Sequence, residues 1–147
     1  MTTTETIQDR IRNLTHEFET AGDWEARYRR VIEMGKVLPE LPEAFRTETY
    51  KVKGCQSQVW LHAELDSGGR VKLVGDSDAV IVKGLVASLL SVYSGATPEE
   101  ILSTSPKFLS DIGFDTHLSP SRANGLSAMV KQIYLYATAF KALAASR

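Results

Sequence analysis

The chain has 147 residues, a length that fits one domain with a core large enough to fold without metal or disulfide cross-links. It carries 17 Lys+Arg and 18 Asp+Glu, a formal net charge of −1. Nucleic-acid binding needs a basic surface, so we expect no nucleic-acid partner. No linker or internal repeat divides the sequence, which predicts a single domain over residues 1–147.

The chain also lacks features of a membrane or exported protein. Met1 to Thr6 is polar, which argues against a signal peptide. No apolar run approaches the ~20 residues that span a bilayer. We therefore expect a cytoplasmic protein with no membrane partner, in a reducing compartment where a free thiol persists.

Two amphipathic helices are predicted at the start of the chain, because apolar residues recur there at helical spacing. The apolar positions are Ile7, Ile11, Leu14 and Phe18 in the first helix, and Trp24, Tyr28, Val31, Ile32 and Leu38 in the second. Pro39 and Pro42 end the second helix, since proline lacks a backbone donor and disfavours helix in the residue before it.

From Gln58 the apolar pattern changes to strict alternation, which predicts a β-strand through Leu65. The segment Asp66-Ser-Gly-Gly69 is typical of a turn, and the alternation resumes at Val71, so the two strands are expected to form an antiparallel hairpin. Thr49 to Val52 is predicted as a third strand.

Helices are predicted for the rest of the chain. Asp78 is a candidate helix cap, and the helix that follows is apolar almost all round to Val92, which indicates burial. Thr97-Pro98 and Ser105-Pro106 each begin a short helix, and Ser119-Pro120 begins a long final one. A small antiparallel sheet of about three strands with helices before and after it is an α+β fold.

Cys55 is the only cysteine, and it lies between Gly54 and Gln56 in a polar segment rather than in an apolar pattern. A free cysteine is often inert core filler, and that reading stays open for the residue alone. Its setting favours a reactive thiol, whose pKa Lys51 and Lys53 could lower. One cysteine forms no internal disulfide, and the absence of a CxxC pair or a His/Cys cluster predicts no metal site.

Three motifs stand in order along the chain: Gly54-Cys-Gln-Ser-Gln-Val-Trp60, Gly75-Asp-Ser-Asp-Ala-Val-Ile-Val-Lys-Gly-Leu85 and Leu118-Ser-Pro-Ser-Arg-Ala-Asn-Gly-Leu-Ser-Ala-Met129. With Trp24-Glu25 and Leu38-Pro-Glu-Leu41 they cover nearly the whole sequence. Together they resemble the SufE/CsdE family, the sulfur-acceptor proteins of cysteine desulfurases. The resemblance implies a small α+β domain similar to the IscU scaffold fold.

The resemblance also implies a function. Cys55 would accept sulfane sulfur, as a persulfide, from a pyridoxal-phosphate cysteine desulfurase of the SufS-like or CsdA-like kind, and would stimulate that enzyme. The sulfur would then pass to an iron–sulfur scaffold complex such as a SufBCD-like assembly. A cluster scaffold needs several cysteine ligands, so this chain is expected to carry sulfur without holding a cluster or any cofactor of its own.

Four residues are predicted to support Cys55 or to contact the partner: Gly54, Gln56, Asp78 and Arg122. Arg122 lies in the first turn of a helix, where the helix dipole disfavours a cation, which hints at a role beyond helix stability. A solvated surface arginine is the plainer alternative, as a simple helix cap is for Asp78. We also expect the loop to tuck Cys55 inward at rest and to swing out on docking.

Two other functions compete with sulfur relay. In the first, the chain is a regulatory module that binds a desulfurase and has no obligatory thiol role. In the second, Cys55 pairs with a histidine as a cysteine hydrolase or transferase, and His62 is the nearest histidine in sequence. If the function is sulfur relay, we expect this chain to be a sulfur-transfer partner with a reactive cysteine rather than an enzyme that turns over independently.

Overall fold

The computed structural model describes residues 5–145, so residues 1–4 and 146–147 of the predicted domain lie outside it. The fold is α+β, as predicted. Its elements in chain order are α1 (Ile7–Ala21), α2 (Trp24–Lys36), two 3₁₀ turns (Glu43–Phe45 and Glu48–Tyr50), β1 (Val59–Leu65), β2 (Val71–Ser77), α3 (Val80–Tyr93), α4 (Pro98–Leu102), α5 (Lys107–Ile112) and α6 (Pro120–Ala145). In the described part of the chain, no helix is long and apolar enough to cross a membrane.

The predicted antiparallel hairpin of β1 and β2 forms, and its residues pair from Val59–Ser77 at the open end to Leu65–Val71 beside the turn. The Asp66 side chain organises that turn, because its Oδ1 accepts hydrogen bonds from the backbone N–H groups of Gly68 and Arg70. An aspartate that binds the backbone two residues on is a common turn device.

The predicted third strand at Thr49 to Val52 is wrong, and the sheet formed by residues 5–145 has two strands. Glu48–Tyr50 is a 3₁₀ turn, in which Tyr50 and Lys51 donate their N–H groups to carbonyls three residues earlier. Those donors are therefore not available for a sheet ladder. Only a single β-bridge remains, between Lys51 and Trp60.

Helix α3 is the buried helix that its sequence predicts. Leu85, Val86, Leu89, Val92 and Tyr93 are fully enclosed. They belong to one cluster of buried side chains to which α1, α2, both strands, α5 and α6 also contribute. A helix that is apolar almost all round needs cover on most sides, and these neighbours supply it except at Val80 and Ser91, which are exposed.

Helices α2 and α3 approach each other at backbone distance. A Cβ atom added to Gly84 would overlap the carbonyl oxygen of Val31, and one added to Gly35 would lie 2.9 Å from the backbone nitrogen of Gly84. Real Cβ atoms essentially never come that near to other heavy atoms. Glycine at both positions therefore permits the crossing, and the crossing fixes α3 in place.

Candidate functional site

Cys55 lies in the loop between Val52 and β1, and this loop folds back onto α6. Its base is closed by a hydrogen bond of 2.8 Å from the N–H of Val52 to the carbonyl of Val59. The Cys55 side chain is half-buried, and its thiol lies 3.6 Å from the carbonyl oxygen of Gly125, to which it donates. Cys55 therefore precedes β1, but it does not connect two strands as the predicted third strand implies, because Glu48–Tyr50 before the loop is a 3₁₀ turn.

Gly54 and Gln56, the two neighbours of Cys55, each have a structural role in the loop. Gly54 has a φ of +93°, a conformation that side-chain-bearing residues rarely adopt. Gln56 accepts a hydrogen bond of 2.9 Å through its Oε1 from the Ser121 hydroxyl, in the first turn of α6. The backbone turn and the amide together direct Cys55 toward the helix.

Asp78 holds the end of the loop and does not cap α3. Its Oδ1 accepts the N–H of Gln58 at 3.0 Å, and its own N–H donates to the carbonyl of Gln58 at 3.2 Å. The N-cap position of α3 is Ala79, which makes no side-chain capping bond. The interpretation of Asp78 as a helix cap is therefore wrong, because its carboxylate binds a residue that lies 20 positions earlier in the chain.

A small cavity of about 20 Å³ lies beside the Cys55 sulfur, enough for one water-sized group. Val82 of α3 and Gly125 and Met129 of α6 line it together with the polar residues Ser121 and Arg122. Cys55 also lines a wider groove of about 320 Å³ with Lys53, Gly54 and Gln56, so the half-buried residue keeps part of its surface open to solvent.

Burial raises the pKa of the Cys55 thiol above its ordinary value. The expected help from Lys51 and Lys53 is absent, since burial is the cause of the shift and it acts against the thiolate. Lys51 is instead paired with Glu48, with its Nζ 3.0 Å from the carboxylate oxygen. In the resting conformation the thiol is protonated near neutral pH.

Arg122 contributes to the cavity from the first turn of α6 and is exposed to solvent. Its backbone N–H is taken by the Oγ of Ser119, the residue that caps the helix. Within residues 5–145, no ion pair or hydrogen bond engages its guanidinium group. Arg122 and Cys55 line the same small cavity, and the predicted contact of Arg122 with a partner stays a prediction.

The Cys/His alternative finds no base at the sulfur. His62 stacks on the ring of Phe45, with 3.5 Å between the ring centroids, and meets Tyr50 edge-on. None of the residues described around the Cys55 cavity is a histidine. No group of three or more His, Cys, Asp or Glu side chains in the described part of the chain is arranged to hold a metal ion.

A much larger cavity of about 450 Å³ lies between α5 and α6, away from the sulfur. Its walls are apolar, with Leu109, Phe114 and Val130 among them, and Asp115 and Lys131 also contribute. Ser110 and Ser127 bring hydroxyl groups to it, but no cysteine lines it. Its size therefore does not make it the reactive site.

The structure adds Ser121 and Gly125 to the residues that sequence reasoning selected. Both face the Cys55 loop from α6, one turn apart, and Gly125 is 70 positions from the cysteine in the chain. The available signal was the spacing of four within the Leu118 to Met129 motif, which places both residues on one helix face. The local sequence does not predict that this face of α6 contacts Cys55.

The chain matches known proteins over most of its length. The family described as "SufE: Fe-S metabolism associated domain" matches residues 12–137. An uncharacterised SufE-like protein of Rhizobium etli is 50% identical over 121 residues, which is 80% of this chain and 82% of that protein. The solution structure of a hypothetical protein from Thermus thermophilus has the same fold, with a TM-score of 0.76 at 24% identity, over 90% of this chain and 96% of that one.

The motifs around Cys55, the α+β fold and the family match agree, and the resemblance to the SufE family is confirmed. The chain belongs to the SufE family and has a role in Fe–S metabolism as a sulfur-transfer partner associated with cysteine desulfurases.

Proposed function

We propose that Cys55 is the sulfur carrier of this protein. It accepts sulfane sulfur from the persulfide on a pyridoxal-phosphate cysteine desulfurase, of the SufS-like or CsdA-like kind, and stimulates that enzyme. The observation that carries the proposal is the placement of the chain's one sulfur nucleophile at a loop tip, half-buried beside a small cavity. Gly54, Gln56, Asp78 and Arg122 support the loop or contact the desulfurase.

The transfer is a thiol–persulfide exchange. Cys55 loses its proton, and its thiolate attacks the outer sulfur of the desulfurase persulfide. A new S–S bond forms on Cys55, the old S–S bond breaks, and the desulfurase cysteine leaves as a thiolate. No oxidant or reductant is consumed, because the sulfane sulfur moves between two equivalent cysteines.

The surroundings of Cys55 suit the carrier state better than the attacking state. Burial disfavours the thiolate at rest, so the thiol becomes a better nucleophile when the loop leaves α6 and the sulfur enters a more polar site. After transfer, a cavity large enough for one water-sized group offers shelter to the added sulfur. The swing of the loop thus couples activation to docking.

The onward step delivers the sulfur to an iron–sulfur scaffold complex of the SufBCD-like kind. A single cysteine cannot supply the ligand set of a cluster. The persulfide therefore waits on Cys55 until a thiolate of the recipient attacks its outer sulfur and Cys55 leaves as the thiolate.

The test is incubation of the protein with desulfurase and free cysteine, followed by intact-mass measurement. The wild-type protein gains one sulfur atom on Cys55, and Cys55→Ser gains none and fails to stimulate the desulfurase. An unmodified wild-type protein under these conditions would contradict the proposal. Full stimulation by Cys55→Ala would favour the regulatory module with no obligatory thiol role.

A further inference from the structure

The loop that carries Cys55 is fixed firmly at its base and loosely at its tip. At the base, Val52 is bonded to Val59, and Gln58 makes two hydrogen bonds with Asp78. Only the tip, residues 53–57, has room to move without breaking these contacts. The attachments of the tip to α6 therefore determine how often the thiol is released.

Two side-chain hydrogen bonds attach the tip to α6. One runs from the Cys55 thiol to the carbonyl of Gly125, over 3.6 Å, and the other from the Ser121 hydroxyl to the Gln56 amide oxygen, over 2.9 Å. A thiol is a weak donor, whereas a hydroxyl bound to an amide oxygen at this distance is an ordinary hydrogen bond. The Gln56–Ser121 contact is the stronger of the two.

The two bonds also differ in how they respond to sulfur loading. The thiol bond needs the proton on Sγ, so it is lost when Cys55 ionises or when Sγ becomes bonded to a second sulfur atom. The bond between Ser121 and Gln56 joins two neutral groups and involves neither that proton nor that sulfur. It is therefore the side-chain attachment that persists in the loaded protein.

Ser121 is suited to anchor the tip because α6 holds it without needing its hydroxyl. The helix is capped by Ser119, whose Oγ accepts the N–H of Arg122 and whose carbonyl accepts the N–H of Ala123. Removing the Ser121 hydroxyl therefore leaves the cap of α6 in place. The change therefore removes a hydrogen bond of the loop and leaves those of the helix intact.

We propose that Ser121 is the positioning residue that holds the Cys55 loop closed through Gln56, in both the unloaded and the sulfur-loaded protein. This inference rests on the proposed function of Cys55 as a sulfur carrier. The Ser121 hydroxyl then sets the equilibrium between the closed loop, which protects the sulfur, and the released loop, in which the sulfur reacts. Ser121 acts on the thiol through Gln56, and it also lines the small cavity beside Cys55.

The test measures the alkylation rate of Cys55 by iodoacetamide in the free protein, without desulfurase, by mass spectrometry. Ser121→Ala is expected to react about two- to tenfold faster, the range that the loss of one neutral hydrogen bond gives. Ser121→Thr keeps a hydroxyl and should react at the wild-type rate. Ser127→Ala makes the same change on an exposed serine of α6 that lines the larger cavity, and should have no effect.

A double-mutant cycle and amide exchange separate a local effect from a general loosening of the fold. Gln56→Ala combined with Ser121→Ala should react no faster than either single variant, since both remove the same bond. Faster exchange in Ser121→Ala should be confined to residues 53–57. A wild-type alkylation rate in Ser121→Ala, or faster exchange along the whole of α6, would overturn the inference.

This experiment is independent of the sulfur-transfer assay. Iodoacetamide reports the exposure of the thiol whether or not a desulfurase loads it. If the loading assay fails and the alkylation series behaves as expected, the carrier role is wrong and Ser121 still positions the loop. If loading succeeds and Ser121→Ala has no effect, only the role of Ser121 is overturned.

Discussion

The α2–α3 crossing and the Cys55 loop both depend on glycine, for different physical reasons. At the crossing, Gly84 leaves room for the backbone of α2, and any added Cβ would meet that backbone. In the loop, an added Cβ at Gly54 would lie 3.5 Å from the Cβ of Ala128, an ordinary contact. There the requirement is the φ of +93°, not space.

This difference separates a rigid part of the molecule from a movable one. The crossing is maintained by close packing, so it cannot relax without shifting two helices of the core. The loop is maintained by one backbone conformation and a few hydrogen bonds, so it can open while the core stays intact. A sulfur carrier needs both properties, because the loop must return to the same cavity after each transfer.

The largest effect is expected for Gly84→Ala. The added methyl group overlaps the carbonyl oxygen of Val31, and only a backbone shift relieves the overlap. Overpacking of this kind costs about 3 kcal/mol at the upper end of its usual range, and we expect that loss in the free energy of unfolding. Urea denaturation followed by circular dichroism measures it.

The matched control for this change is Gly125→Ala, also within a helix. Its Cβ would lie 3.5 Å from the Cys55 sulfur, which is a normal contact. Alanine is favoured over glycine in a helix interior by up to about 1 kcal/mol, so this variant should be as stable as the wild type or more so. Equal stability of Gly84→Ala and the wild type would show that the crossing is not rigid.

A smaller effect, confined to the loop, is expected for Gly54→Ala. A side-chain-bearing residue pays about 1–2 kcal/mol in the left-handed region, which corresponds to about five- to thirtyfold in the balance between the closed and the released loop. Alkylation of Cys55 should accelerate by that factor. The free energy of unfolding of the remaining core should change little, because Cys55 is the one residue of 53–57 that packs against the core, and it is only half-buried.

Gly69→Ala controls for backbone strain as such. Gly69 has a φ of +79° in the turn between β1 and β2, and nothing lies within 4 Å of an added Cβ. The same kind of strain there should leave the alkylation rate of Cys55 unchanged. If both variants accelerated alkylation equally, the effect would be a general destabilisation and not a property of the loop.

Most of the fold could be predicted from the sequence, because its signals are local. The apolar spacing of α1, α2 and α6, the all-apolar α3 and the alternation of the hairpin each lie within one element. The third strand was a wrong prediction because Thr49 to Val52 carries no local mark of the 3₁₀ turn that uses its backbone donors. Short segments with few apolar residues give the weakest pattern.

The candidate site was predicted less completely, because its contacts join distant parts of the chain. Cys55 and its neighbours could be selected from one segment, but Asp78 was interpreted as a helix cap when its partner is Gln58. Ser121 and Gly125 meet the loop only after α6 has packed beside it. In the same way, Gly84 in a helical pattern indicates only a weaker helix until the position of α2 is known.

The smallest effect, and the one that tests shelter most directly, is the pH dependence of Cys55 alkylation. Burial raises the pKa of the thiol, so the midpoint of the rate profile should lie above that of the same protein unfolded in denaturant, where the thiol titrates near its ordinary value of about 8.5. Gly54→Ala should move the midpoint back toward the unfolded value, because release of the loop relieves the burial.

The raised pKa of the Cys55 thiol also makes the free energy of unfolding depend on pH. A raised pKa in the folded state means that the folded protein holds the proton more tightly than the unfolded one. The stabilisation is therefore fully present below the unfolded pKa and is lost as the pH rises through the folded one. The free energy of unfolding of the wild type should fall relative to that of Cys55→Ser as the pH rises through that window. Equal pH profiles of the two proteins would mean that the sulfur is not sheltered. An alkylation midpoint in the folded protein at or below that of the unfolded protein would likewise mean that the loop stands open at rest.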